Sequence, residues 1–187
     1  MSDRLPPLPQ TEWDADQRAA AEEVIRGPRG ALISPFVPLL RSPELLTHAQ
    51  RMGEYLRYRS AIGLRLSELA ILVTARHWSQ QVEWAIHAPI ACDVGIAPET
   101  VAAIAEGRTP PQMPPDDALV YEFGRELNEN KGIAEATWNA VVERFGEKGA
   151  VDLLGICGYY TFLSMVMNGA RTPAPASGAA ALMPLAS

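Results

Sequence analysis

Cysteine and histidine are scarce in this chain, two of the first and three of the second among 187 residues. Cys92 and Cys157 lie far apart, each in an apolar run, and read as two reduced, buried thiols. A disulfide framework or a zinc centre needs more cysteines, or histidines at close spacing. An excess of basic charge is missing too: 16 Lys+Arg against 22 Asp+Glu leave a formal net charge of -6. A nucleic-acid groove needs a basic face to neutralise phosphates, and an anionic membrane surface asks for the same, so neither partner is expected. A few local arginines can still attract a small anion. No apolar run is clean enough for a membrane span of roughly 20 residues. The most apolar stretch, Ala150 to Met167, is interrupted by Asp152 and Gly155 and reads as a buried core helix. The amino end, Met1 to Pro7, lacks the apolar centre of a signal peptide, so a cytoplasmic location is expected.

What is present is ordinary globular material. A hydrophobic share of 48% with 20% charged residues excludes wholesale disorder, and the length suits one full core. There is no long alternating strand pattern. Helical periods recur instead, bounded by Pro and Gly where helices start and stop.

Thr11 and Asp14 can cap a helix to about Ile25, closed by Gly27-Pro28. A loop containing Ser34-Pro35 and Pro38 follows. Ser42-Pro43-Glu44 is a start signal for a helix to about Arg59, stopping near Gly63. Ser67 opens the segment Glu68 to Trp78, and Ser79 is a second possible cap for a helix through Glu83 and His87 to about Asp93. Pro98-Glu99 starts a short helix ending at Gly107. A proline-rich link, Thr109 to Pro115, divides two halves of one bundle. Helices are expected at about Asp116–Asn130, Ala134–Phe145 and Lys148–Asn168. From Arg171 the composition falls to Ala, Pro, Ser and Gly, and a disordered tail is expected over 171–187.

Glu83 and His87 form the leading chemical candidate. Four residues apart on a helix, they are offset by about 40° and share a face. A carboxylate beside an imidazole orients the ring and raises its pKa toward the range of a general acid or base. If the helix runs unbroken from Glu68, then Glu68, Glu83 and His87 fall within an arc of about 100°. If Ser79 breaks it, two antiparallel helices can bring the same groups together. A Glu–His pair at this spacing is ordinarily a solvated surface pair, but Trp84, Ala85, Ile86, Ala88 and Ile90 crowd this one and suggest partial burial. His77 would point to the opposite face of an unbroken helix. One imidazole and two carboxylates also suit several divalent ions, but a metal is not the preferred reading.

The stretch Leu66-Ser67-Glu68-Leu69-Ala70-Ile71-Leu72, then Trp78, then Glu83-Trp84-Ala85-Ile86-His87-Ala88-Pro89-Ile90-Ala91, resembles the core of the carboxymuconolactone decarboxylase family, which includes the alkylhydroperoxidase D-like proteins. Arg144-Phe145-Gly146, Val151-Asp152-Leu153-Leu154 and Gly158-Tyr159-Tyr160 resemble the helix that closes these domains. The resemblance covers about Ser42 to Asn168. It implies an all-α, alkylhydroperoxidase D-like bundle over 42–170, with 1–41 packing on it as a helix and loop, and a homo-oligomer of trimer or hexamer type.

The peroxidase branch of that family carries a glutamate, two cysteines and a histidine, which fall here on Glu68, Gln80, Glu83 and His87. Dithiol peroxidase chemistry needs one thiolate to attack and a second to resolve the sulfenic acid, and neither thiol is present at these positions. Cys92 lies about 140° around the helix from His87, a poor place for a substitute. The decarboxylase branch has no need of thiols. The resemblance implies His87 as proton donor or acceptor, Glu83 orienting it and Glu68 as a second acid–base group, with no cofactor. Gln80 is a candidate donor to a substrate carbonyl, and Trp84 a candidate substrate contact. Arg57, Arg59 and Arg65 are candidates to anchor a carboxylate, although a basic helix end facing water is the commoner role. Tyr159 and Tyr160 read as core or interface aromatics. The expected substrate is a small carboxylate or lactone. The rivals are thiol redox chemistry and a non-catalytic binding or scaffold role.

Overall fold

A computed structural model describes residues 2–176 and 179–183. Among them helix accounts for 68%, with no strand, in one compact domain. A single 3-10 turn (Gln10–Glu12) precedes α1 (Ala15–Arg26), α2 (Phe36–Leu39), α3 (Pro43–Tyr58), α4 (Gly63–His77), α5 (Gln81–Asp93), α6 (Pro98–Ala105), α7 (Pro115–Asn130) and α8 (Glu135–Ala170).

Many of the ends are written in the sequence. Asp14 caps α1 reciprocally with Gln17: each side chain accepts from the other's backbone N–H. Pro43, Pro98 and Pro115 occupy first helical positions, where their missing N–H costs nothing. The two helices expected on either side of residue 146 are both present within α8, separated by a kink at the non-helical Gly146 (φ 73°, ψ 169°). This backbone suits a residue without Cβ. The short α2 falls in what reads as loop.

α4 is the axis of the bundle. α3, α5, α6, α7 and α8 all pack on it, and every residue from Leu66 to Arg76 is buried. A helix buried all round is apolar all round, except where a polar side chain is matched from a neighbour. Glu68, fully enclosed, is such an exception.

α4 and α5 are two helices rather than one, and the break is not capped as expected. Ser79 takes a left-handed backbone (φ 47°), and Gln80 is the N-cap, its side-chain oxygen accepting from Val82 N and Glu83 N. The tight turn folds α5 back along α4, which overturns the unbroken helix and realises the antiparallel alternative. α8, including the stretch 150–167, is long and apolar enough to cross a membrane. More than half of that apolar window is buried in the bundle, where α8 packs on α3, α4 and α7. Asp152 is buried there and accepts from Tyr55 Oη (2.9 Å) and Ala61 N (2.7 Å), tying the α3–α4 turn to α8.

The tail departs from expectation. Residues 177–178 and 184–187 lie outside the described residues. The rest does not behave as a free end, because Leu182 is buried and its backbone is held on both sides by Gln81 (2.9 and 3.1 Å). Arg76 Nη1 donates to Met183 O at 2.9 Å. Pro89, inside α5, has no N–H for the Ala85 carbonyl one turn back. Ala179 N supplies that bond at 3.2 Å. A segment of low complexity is ordered by donors and acceptors that the bundle leaves open.

Candidate functional site

Folding α5 along α4 places Glu68 opposite His87, nineteen positions later. His87 Nδ1 lies 2.6 Å from Glu68 Oε2, and its Nε2 lies 3.2 Å from Glu83 Oε2, one turn back on α5. Arg57, at the end of α3, donates from Nε to Glu68 Oε1 at 3.2 Å. The four groups form one chain of alternating charge, Arg57–Glu68–His87–Glu83, and the last three are almost wholly buried.

Burial alone would lower the pKa of His87. The charge and hydrogen bond of Glu68, with those of Glu83 behind them, outweigh it and raise the imidazole to about 9. At neutral pH the ring is an imidazolium that donates to both carboxylates. Tyr160 closes the arrangement, its ring edge-on to the imidazole at 5.2 Å between centroids.

The chain ends on a pocket. Its walls are Glu83, Ile86 and His87 from α5, Tyr159, Tyr160 and Leu163 from α8, Arg57 from α3, and Arg29 with Ile33 to Phe36 from the segment between α1 and α2. The cavity is narrow, about 30 Å³, enough for roughly two water molecules. Two polar atoms on its lining residues are buried without a hydrogen-bond partner, Glu83 Oε1 and the Tyr159 hydroxyl. Both ring nitrogens of His87 are already committed. Glu83 Oε1 is therefore the open position of the chain.

The remaining candidates scatter. Gln80 is a structural cap: its oxygen is taken by backbone N–H groups and its amide nitrogen donates to Asn168 Oδ1 at 3.0 Å. It does not line the pocket, so it is not placed to meet a substrate carbonyl there. Arg59 is exposed and pairs with Glu54 at 3.7 Å, and Arg65 pairs with Asp117 at 2.7 Å, so neither reaches the pocket. Trp84 is buried in the core on another face of α5. Cys92 is exposed rather than buried, and Cys157 is buried, its thiol pushed up to about 11 by burial. His77 is exposed at the end of α4. Among the described residues no group of three or more His, Cys, Asp and Glu is arranged to hold a metal ion.

Sequence reasoning missed Arg29, and it set aside the two tyrosines. Only the Gly27-Pro28 stop next to Arg29 marks its neighbourhood, and that signal concerns the backbone. Comparison with known proteins adds no identity: no family model, curated protein or solved structure matches the chain.

Proposed function

We propose that this chain is an enzyme of the carboxymuconolactone decarboxylase kind, built on an alkylhydroperoxidase D-like bundle. It would run acid–base chemistry on a small carboxylate or lactone with its own side chains alone. The observation that carries the reading is the buried Arg57–Glu68–His87–Glu83 chain ending on a pocket. Burying three charged groups beside a part-buried fourth is expensive, and stability alone is poorly served by such a cluster. A buried imidazole with a raised pKa beside a cavity is where proton-transfer chemistry is found.

On this geometry we give the residues roles different from those the resemblance implies. Glu83 exchanges the proton with substrate through Oε1. His87 donates to Glu83 Oε2 and can pass it a proton, Glu68 fixes the ring through Nδ1, and Arg57 holds Glu68. In a decarboxylation the C–C bond to the departing carboxylate breaks and carbon dioxide leaves. The electron pair remains on carbon as an enolate or dienolate, and the His87 proton, passed through the Glu83 carboxylate, is delivered there. Solvent then restores the proton of His87.

Thiol chemistry gains no support. A nucleophilic cysteine works as thiolate, whereas Cys157 is held protonated and neither cysteine lines the pocket. The narrow cavity requires that a lactone displace part of the 29–36 wall on binding. The test is carbon dioxide release from gamma-carboxymuconolactone. Loss of a positioned proton-transfer group costs about 10²–10⁴-fold in rate, so Glu83→Gln and His87→Ala are expected to fall by at least the lower figure. Unchanged turnover in a stably folded His87→Ala protein would sink the reading. The same resemblance proposes a trimeric or hexameric assembly, which light scattering on the purified chain measures directly.

A further inference from the structure

The pocket wall carries polar capacity that the proton chain does not use. Arg29 stacks over Phe36, its guanidinium carbon 4.8 Å from the ring centroid, and donates from Nη1 to Gln50 O at 3.4 Å. Among the described residues it pairs with no carboxylate. The charge of Arg57 is matched by Glu68, and that of protonated His87 by Glu83. Arg29 is therefore the uncompensated cation of the pocket.

Tyr159 supplies the second group. Its hydroxyl is buried without a partner, a costly state that native structures seldom tolerate without a use. Burial holds it as a phenol, and the nearby Glu83 reinforces this against the opposing pull of Arg29. It is thus a donor across the working pH range. Its place depends on α3: a Cβ on Gly53 would come within 2.8 Å of Tyr159 Cε1 and closer still to the hydroxyl.

One net positive charge, a guanidinium fork and a phenol donor beside an unpartnered carboxylate oxygen define a complementary ligand. It presents a carboxylate, two acceptor oxygens, at one end and a proton to give or receive at the other. We propose that Arg29 and the Tyr159 hydroxyl form a carboxylate subsite, which binds one carboxylate of a small acid and sets the adjacent carbon at Glu83. In a substrate that loses carbon dioxide, the subsite holds a carboxylate that is retained, since a salt bridge to the departing group would oppose its loss. The proposal rests on the pocket being the working site, as argued above.

The experiment is a titration of the full chain with propionate, propionamide and inorganic phosphate, followed by backbone amide shifts in nuclear magnetic resonance. Saturable propionate shifts at pocket residues are expected, with none from propionamide. Arg29→Gln is expected to weaken propionate at least tenfold, Tyr159→Phe several-fold, and Arg29→Lys to restore only part, because a point charge lacks the fork. Propionate binding that Arg29→Gln leaves unchanged, equal shifts from propionamide, or a preference for phosphate would each overturn the subsite. Turnover separates the two readings. Carbon dioxide release with an unchanged KM in Arg29→Gln removes the subsite and spares the reaction. Arg29-dependent binding without any release removes the reaction and spares the subsite.

Discussion

His87 is held almost wholly buried between two carboxylates, and this makes the stability of the protein depend on pH in a definite direction. Its folded pKa is raised to about 9, against about 6.5 for an unfolded histidine. The folded state therefore binds the proton more tightly. The contribution is complete below about pH 6.5 and is lost as pH rises through about 9. The difference is worth on the order of 3 kcal/mol, so urea midpoints should fall steadily across that window. In His87→Gln this falling limb should vanish, and the protein should lose roughly 3–5 kcal/mol at neutral pH, because two buried carboxylates lose their counter-charge. A limb of the same slope in the variant would show that the titration belongs to another group. The residue scale is also where the sequence was least legible. The spacing of Glu83 and His87 announces a pair on one helix face, but their roles depend on which nitrogen faces which oxygen. That orientation follows from Glu68, which reaches His87 only through tertiary folding.

Helices were far easier to read than side-chain roles, because their ends are local events. Asp14 with Gln17, and the prolines at the starts of α3, α6 and α7, act within one turn of chain. The α4–α5 break was ambiguous for the same reason: Ser79 is the usual type of capping residue, yet Gln80 does the capping. Gln80→Ala should cost about 1 kcal/mol, the typical worth of an N-cap, or more through loss of the Asn168 contact, and leave the KM for substrate unchanged. A selective rise in KM at constant stability would return Gln80 to the substrate. The approach of α3 to α8 depends on Gly53. Gly53→Ala should destabilise by about 1–3 kcal/mol through overpacking and displace Tyr159. Chemical denaturation should then show a loss that Tyr159→Phe, which removes the colliding oxygen, partly relieves.

Across the whole molecule, the last described residues and the bundle complete each other. Ala179 answers the carbonyl that Pro89 leaves open, Gln81 brackets Leu182, and Arg76 takes Met183 O. Composition alone predicts disorder there, because nothing in an Ala- and Pro-rich run shows that a proline some ninety residues earlier has left an acceptor vacant. Leu182→Ala should lower stability by about 2 kcal/mol, the lower end for a buried leucine, whereas a free tail predicts no change in a urea titration. The all-helical class and the Glu83–His87 pair on one helix face were legible, since both follow from periodicity and spacing. The anion-facing wall was not, because Arg29 arrives on a loop with no periodicity, well before Glu68, Glu83 and His87 in the chain. The short contact between His87 Nδ1 and Glu68 has a use of its own. A proton shared over 2.6 Å and shut away from bulk water is deshielded and slow to exchange, so its resonance should stand alone far downfield. Any ligand that changes the charge at Glu83 would shift that line from the far side of the ring, and the protein would report its own occupancy without a label.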